Sequence, residues 1–451
     1  MAAFLRLYRL ETVPPGLYHD EAMNGNNARE VLETGRFAPF YPENGGREGL
    51  YINVSTLFLR FLGNQAWVLR LPAAIFGILT VWGVYLLAAE LYSPPVGLLA
   101  SFFLATSFWH ITLSRLGLRA IGAPLFLTWT LYLLLVALRR QRQARPFVAI
   151  AILSGCIYGL GFYTYVPYRV TPVLVVPVLI YFGRKNAWLP SIFAATAAAA
   201  VAPLAVYFLA HPGTFFGRIS TVSVIAVGHP GWELTLNVWR TGRMFFTRGD
   251  TNWRHNVAWR AELYWPVAIL FASGVLMSLR FKDRSLAVLA WLIVAAVPVV
   301  FSAERLPHAV RSVLMIPPAV ILAAVAGHAL YSWLSQKVSQ RSLELAAVVG
   351  LLTLCYEPYH TYFELWAKSP HLLDYFDERS VDVAAQINRL PRDVPKYVAV
   401  PASNPMVAQP VMFLTGSYTR AEQDATNIRY FSMPPGAACP QNAFCLLDYG
   451  Q

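Results

Sequence analysis

The feature that most restricts this chain is a series of apolar runs, each about one bilayer long, separated by short basic clusters. An α-helix needs about 20 apolar residues to cross roughly 30 Å of hydrocarbon, and open strands or loops cannot satisfy their backbone there. The runs lie near 67–91, 95–113, 119–138, 147–165, 169–183, 188–210, 264–281, 285–303, 309–334 and 342–358. They predict an all-α polytopic membrane protein with about 10–11 transmembrane helices. The shortest, 169–183, needs a thinned bilayer or help from neighbours. Only 13% of residues are charged, against about 25% in a soluble domain.

Positive charge sets the orientation. Arg139-Arg140-Gln141-Arg142 with Arg145, then Arg184-Lys185, then Arg280, Lys282 and Arg284, then Lys337 and Arg341 occupy alternate loops, which are therefore expected on the cytoplasmic side. Segments 13–66, 114–119, 165–169, 211–263, 303–309 and the tail from 359 are then extracytoplasmic. The formal charge of +12 does not imply nucleic acid, because the arginines sit at span ends and no basic stripe alternates with aromatics.

Residues 1–12 read as the last turns of a helix too short to span, with no signal-peptide pattern. Between about 22 and 65 the polar and apolar mixture reads as two surface helices, the second over Leu50–Leu62. The expected organisation is a transmembrane catalytic domain over 1–358, with outer loops 13–66 and 211–263, and an extracytoplasmic domain over 359–451. The tail has short Pro-bounded segments and reads as a small mixed α/β cap. Cys156 and Cys355 lie in apolar runs and read as packing residues. Cys439 and Cys445 either form a small disulfide, if the tail is outside, or stand as two free thiols.

Within the first outer loop, Pro14-Pro15-Gly16-Leu17-Tyr18-His19-Asp20-Glu21-Ala22 places two adjacent acids and a histidine. Burying carboxylates is costly unless something uses them, so Asp20 and Glu21 are candidate catalytic groups. The plainer reading is a helix start, with Asp20 as N-cap, Glu21 in the first turn and Ala22 to Glu33 as a surface helix.

Arginines gather at outer span ends, against the positive-inside trend: Arg70, Arg115, Arg119, Arg169, Arg305 and Arg311. Guanidinium binds phosphate bidentately, and the set together suggests a site for a donor phosphate. Any one of them taken singly reads better as a headgroup contact. The turn Tyr163-Thr164-Tyr165-Val166-Pro167-Tyr168-Arg169 adds Tyr163, Tyr165 and Tyr168, and the large outer loop adds Asp250, Arg254, His255 and Asn256. Aromatic rings with amide, acid and guanidinium groups suit a carbohydrate, while interfacial anchoring explains Trp265 better. His110 reads as a packing histidine.

A carboxylate, an anion clamp at the membrane edge and an outward loop suggest group transfer from a phosphate-bearing lipid, with Asp20 as base and the arginines facing the leaving phosphate. A monophosphate leaving group held by arginine does not require a metal, so no cofactor is certain; His19 beside Asp20 is compatible with a divalent ion.

The Pro14–Ala22 loop resembles the first outer loop of the GT-C glycosyltransferases, in the bacterial family related to protein O-mannosyltransferases and the lipid A aminoarabinose transferase. Asn44-Gly45-Gly46-Arg47-Glu48-Gly49-Leu50-Tyr51 is similar to that family's Gly-Arg-Glu-Pro segment, with Gly49 where proline is usual. Arg70-Leu71-Pro72, Trp109-His110 with Ser114-Arg115 and Arg119, and Gly249-Asp250 to Asn256 also fit, so the resemblance spans roughly 4–360. It implies a GT-C fold and a catalytic centre at Asp20 and Glu21, with His19, Arg47 and Glu48 near sugar or acceptor. The implied partners are a polyprenyl-phosphate-linked sugar, membrane lipids and an acceptor protein, lipid or glycan, at a bacterial inner or plasma membrane. The expected activity is inverting transfer of a hexose or pentose to an acceptor hydroxyl. A transporter or flippase of a lipid-linked anion would use the same arginines, but transporters place polar residues at mid-membrane on broken helices, whereas here they sit at the outer ends.

Overall fold

The computed structural model describes residues 1–184, 186–224, 229–281, 284–303, 306–434 and 437–446. After a short helix α1 (Ala2–Leu7) come α2 (His19–Thr34), a two-stranded hairpin β1 (Phe40–Tyr41) and β2 (Arg47–Glu48), and α3 (Leu50–Leu62). The bundle follows as α4 (Ala66–Leu91), α5 (Pro94–Ala105), α6 (Phe108–Ser114), α7 (Gly122–Arg142), α8 (Val148–Gly161), α9 (Pro172–Gly183) and α10 (Trp188–Ala210). Two further helices, α11 (Pro212–Val222) and α12 (Pro230–Arg243), lead to α13 (Trp265–Phe281), α14 (Arg284–Val300), α15 (Ile316–Leu334) and α16 (Gln340–Tyr359). The fold is thus predominantly helical, as the apolar runs predict.

Five helical segments are long and apolar enough to cross a bilayer: Ala66–Leu91, Arg119–Arg142, Val166–Gly183, Trp188–Ala210 and Val313–Leu334. Counting each of two bent pairs as one span raises this to seven, among the described residues, against the ten runs read from hydropathy. The differences have local causes. The run 95–113 is two helices bent by 63°, because Ser107 starts α6 by accepting the His110 backbone N–H. Helix α8 has only 14 residues, and α16 carries Arg341, Glu344 and Glu357.

Helices α4, α5, α7, α13 and α15 enclose the main core, where Ala73, Val84, Leu104, Trp109 and Leu322 are buried. At one end, Arg139 meets Glu90 at 2.9 Å and Arg142 lies 4.9 Å over Phe182, so basic loop ends share a face. The opposite end carries the first loop and the tail.

The helix over the first loop begins two residues earlier than a capping Asp20 would require. Tyr18 is the N-cap, and Glu21 accepts its backbone N–H at 3.2 Å. The capping carboxylate is therefore Glu21, three residues into the helix, and Asp20 is left outward. Helix α3 occupies Leu50–Leu62 as expected, ended by Gly63.

In the tail, α17 (His371–Tyr375), α18 (Glu378–Arg389), β3 (Lys396–Pro401), α19 (Gln409–Thr415), α20 (Arg420–Thr426), β4 (Ile428–Met433) and β5 (Ala443–Cys445) form the small α/β unit. Its strands are parallel in the order β4-β3-β5, over a core of Val383, Ile387, Val398, Val411 and Ile428. Cys439 and Cys445 are joined as a disulfide. The unit docks on α2: Asn26 Nδ2 donates to Gln409 Oε1 at 2.8 Å, and Arg29 pairs with Glu422. Gly16, at φ 59°, lies so close that a Cβ there would be 2.2 Å from the Phe376 carbonyl oxygen.

Candidate active site

The two acids of the first loop have opposite surroundings. Glu21 and Arg70 are both completely buried; Arg70 Nε and Nη2 donate to the two carboxylate oxygens at 3.1 Å each. Glu21 also accepts the Gly117 N–H at 2.5 Å and that of Tyr18, so four donors fill its oxygens. Arg70 in turn donates to the Pro14 and Gly16 carbonyls at 2.7 and 2.9 Å. This ion pair ties the Pro14–Gly16 turn, the start of α2, the head of α4 and the turn after α6 into one knot. Glu21 is closed to a substrate and Arg70 is closed to a phosphate.

Asp20 keeps a third of its side chain exposed, and Asn44 Nδ2 donates to its Oδ1 at 2.7 Å. The Tyr18 phenol also reaches this carboxylate, which nonetheless keeps its solvent access. His19 stands 4.0 Å away, with burial, and then Arg254, lowering its pKa against the opposing pull of Asp20. On the other side, Arg254 lies 3.8 Å over the Tyr18 ring, and burial, reinforced by Asp20, raises the Tyr18 phenol. Asn44 comes from the hairpin turn, where Asn44 and Gly45 both take left-handed φ, 52° and 71°.

The same hairpin carries the cationic half. Glu48 is fully buried and accepts Arg119 Nε at 3.0 Å on one oxygen and Arg169 Nη2 at 3.2 Å on the other. Arg119 also donates to the Gly46 carbonyl at 3.3 Å and lies 5.6 Å over Tyr165, while Arg169 donates to the Phe215 carbonyl at 2.7 Å. A guanidinium has five N–H donors, and these bonds use two of each. Two arginines on one carboxylate leave one positive charge in excess, partly open to solvent. Neighbouring Arg47 is buried on Asn24 and Asn27, and burial, then Arg119, lowers its pKa to about 10.

The remaining expected residues divide. Arg115 is buried, donates to the Val13 carbonyl at 2.7 Å and stacks 5.0 Å from Tyr362. Arg311 is buried on Ser302, and Arg305 lies outside the described residues. Tyr163 donates to the Ala200 carbonyl at 2.9 Å and Tyr168 is buried against Tyr158 and Phe162, so both pack the bundle. Asn256 is buried and bonds its own loop at Arg260. His110 packs as expected, with its Nδ1 2.7 Å from Arg6.

Asp250 pairs with His255 at 3.0 Å. Burial alone would raise Asp250, but the hydrogen bond and charge of His255, with His308, outweigh it and hold the carboxyl at about 2. Among the described residues, three metal-ligating side chains gather at Asp250, His255 and His308. Asn44, Asn24 and Asn27 orient the acid and the hairpin arginine but were not singled out as site residues from the sequence. The one local signal was Asn44-Gly45, a dipeptide suited to a tight turn.

Residues 51–211 match the family described as dolichyl-phosphate-mannose-protein mannosyltransferase. Among solved structures, the chain is similar to ArnT from Cupriavidus metallidurans bound to undecaprenyl phosphate, at 16% identity and TM-score 0.58, covering 92% of this chain and 83% of that one. The apo form of the same ArnT gives 15% identity, TM-score 0.59 and coverages of 94% and 86%. The archaeal oligosaccharyltransferase AglB from Archaeoglobus fulgidus, in complex with an inhibitory peptide and a dolichol-phosphate, gives 12%, TM-score 0.57 and coverages of 96% and 68%. No curated protein matches the chain by sequence. At these identities the likeness shows the fold: the chain has the GT-C architecture of these membrane glycosyltransferases.

Proposed function

We propose that this chain, an integral membrane protein of the GT-C fold, is a glycosyltransferase that moves a sugar from a polyprenyl-phosphate donor to an acceptor hydroxyl at the extracytoplasmic face. The observation that carries this reading is the division of labour between adjacent acids. Glu21 is saturated by Arg70, Gly117 and Tyr18, while Asp20 is held by Asn44 and keeps a third of its side chain exposed.

Asp20 takes the proton of the acceptor hydroxyl as that oxygen bonds to the sugar C1. The bond from C1 to the phosphate oxygen breaks with its electrons, and the lipid monophosphate leaves. Attack opposite the leaving group inverts the anomeric carbon. Arg119 and Arg169, aligned by Glu48, are assigned to the phosphate, where their remaining N–H donors offset the developing charge. Arg254 and His19 border Asp20 on the side assigned to sugar or acceptor, a hexose or pentose and a protein, lipid or glycan hydroxyl. Glu21, Arg70 and Arg115 position the loop.

The family description and the lipid phosphates named with the ArnT and AglB structures support the donor class. Sidedness is supported by the basic loops at one end of the bundle and by the Cys439–Cys445 disulfide in the tail, which docks at the other.

The test incubates detergent-purified protein with a panel of polyprenyl-phosphate sugars and follows donor loss by mass spectrometry. Wild type consumes one donor and Asp20→Asn does not, while both bind it equally. Binding of a donor by both proteins with consumption by neither would replace the enzyme with a lipid carrier.

A further inference from the structure

The outer loop from Gly249 to Glu262 and the turn from Leu306 to Arg311 meet at three side chains outside the hairpin site. Asp250 is buried, and its Oδ1 accepts the Asn252 N–H at 2.8 Å. Its Oδ2 accepts the Ala309 N–H at 2.8 Å and faces two imidazoles, His255 Nδ1 at 3.0 Å and His308 Nδ1 at 3.9 Å. The rings lie side by side with centroids 5.3 Å apart, and one ligand atom from each residue falls within 4.8 Å of the other two.

A hydrogen-bonded His–Asp pair explains His255 but not His308. The His308 Nδ1 is buried and has no hydrogen-bond partner among the described residues, although it points at an acid already bonded to Asn252, Ala309 and His255. A second acid, Glu262, is buried alongside and accepts the Asp250 backbone N–H at 2.9 Å. Two carboxylates and an orphaned imidazole nitrogen in one buried pocket are poorly matched to each other and well matched to a cation. Zinc bonds of about 2.1 Å at tetrahedral angles put ligand atoms about 3.4 Å apart, a spacing the 3.0 and 3.9 Å separations bracket.

We propose that Asp250, His255 and His308 form a binding site for one divalent transition-metal ion of the zinc type. Two neutral imidazoles and one carboxylate are a borderline donor set that favours such ions over magnesium or calcium. Three protein ligands leave a fourth place for water or another oxygen. The Asn252 and Ala309 N–H groups fix the carboxylate from behind, as outer-shell donors do in metal sites. The ion fastens the two outer segments together next to Arg254, whose guanidinium lies over Tyr18 at the entrance to α2. Its role is to position that arginine beside the first loop.

The experiment strips full-length, detergent-purified protein with a chelator, then titrates it with Zn²⁺ and Co²⁺ alone. Isothermal titration and elemental analysis should give one equivalent per chain, and Co²⁺ should give the intense visible bands of a four-coordinate ion. His308→Ala, at the least buried ligand, should weaken binding at least tenfold without lowering the metal-free melting temperature. Zn²⁺ should raise the melting temperature of the wild type and not of that variant. The control His328→Ala, on α15, should bind as wild type does. Absence of a stoichiometric ion in the wild type overturns the proposal whatever the variants do. So does binding that is unchanged in both His308→Ala and His255→Gln. Neither readout depends on transferase activity.

Discussion

Glu21 and Arg70, both completely buried, meet through two parallel hydrogen bonds of 3.1 Å. Removing one partner of such a pair strands the other charge and costs about 3–5 kcal/mol. Glu21→Ala is therefore expected to lower the melting temperature strongly and reduce the yield of folded protein. Asp20→Asn should melt as wild type does yet lose turnover. A stable, inactive Glu21→Ala would reverse the assignment of the two acids.

Glu48 is the common anchor of Arg119 and Arg169. A charge-assisted hydrogen bond contributes about 1.5–3 kcal/mol, so Arg119→Ala should weaken donor-lipid binding about tenfold or more. Glu48→Gln keeps the shape but removes the charge that holds two guanidiniums together, and a similar loss is expected. Equilibrium binding of a polyprenyl phosphate to each variant checks both; affinity unchanged in Arg119→Ala would place the phosphate elsewhere.

Gly16 combines a left-handed φ of 59° with near-contact to the Phe376 carbonyl. Gly16→Ala meets both obstacles and should cost at least about 1 kcal/mol, with the tail lifting from the first loop. Limited proteolysis should then cut near 376–378 faster than in wild type.

Asp377 gives a pH dependence whose sign is fixed by burial. Desolvation pushes its carboxyl up to about 6, against a smaller opposing effect of its Ser380 hydrogen bonds. The folded state thus holds the proton more tightly than the unfolded state. The contribution of Asp377 to stability is greatest below pH 4, falls as pH rises toward about 6, and is flat above. Asp377→Asn keeps an acceptor for Ser380, tolerates the left-handed φ of 51° and has no charge to bury. It should gain on the order of 2–3 kcal/mol at pH 7 and nothing at pH 4, measured as the difference in melting temperature from wild type.

The sequence disclosed what depends on neighbours along the chain. Helix α3 runs over the predicted Leu50–Leu62 because glycines bound it on both sides, Gly49 before and Gly63 after. The basic cluster at Arg139–Arg142 does meet the ends of α4 and α9, at Glu90 and Phe182. What stayed hidden depends on distant partners. Glu21 looks like Asp20 until Arg70 arrives, 49 residues on, and Glu48 acquires its two arginines from 71 and 121 residues away. The break before α6 was invisible for another reason: hydropathy averages over a run, whereas one serine hydroxyl decides where a helix starts.

The docking of the tail on α2 also sets a schedule. Asn26 and Arg29 find their partners 383 and 393 residues later in the chain, at Gln409 and Glu422. At ribosomal speeds of about 5–20 residues per second, the Asp20 loop waits roughly 20–80 s before its last neighbours exist. The surface assigned to catalysis is thus finished only once Gln409 and Glu422 have been made, so a chain stalled before them inserts into the bilayer with that loop still uncovered.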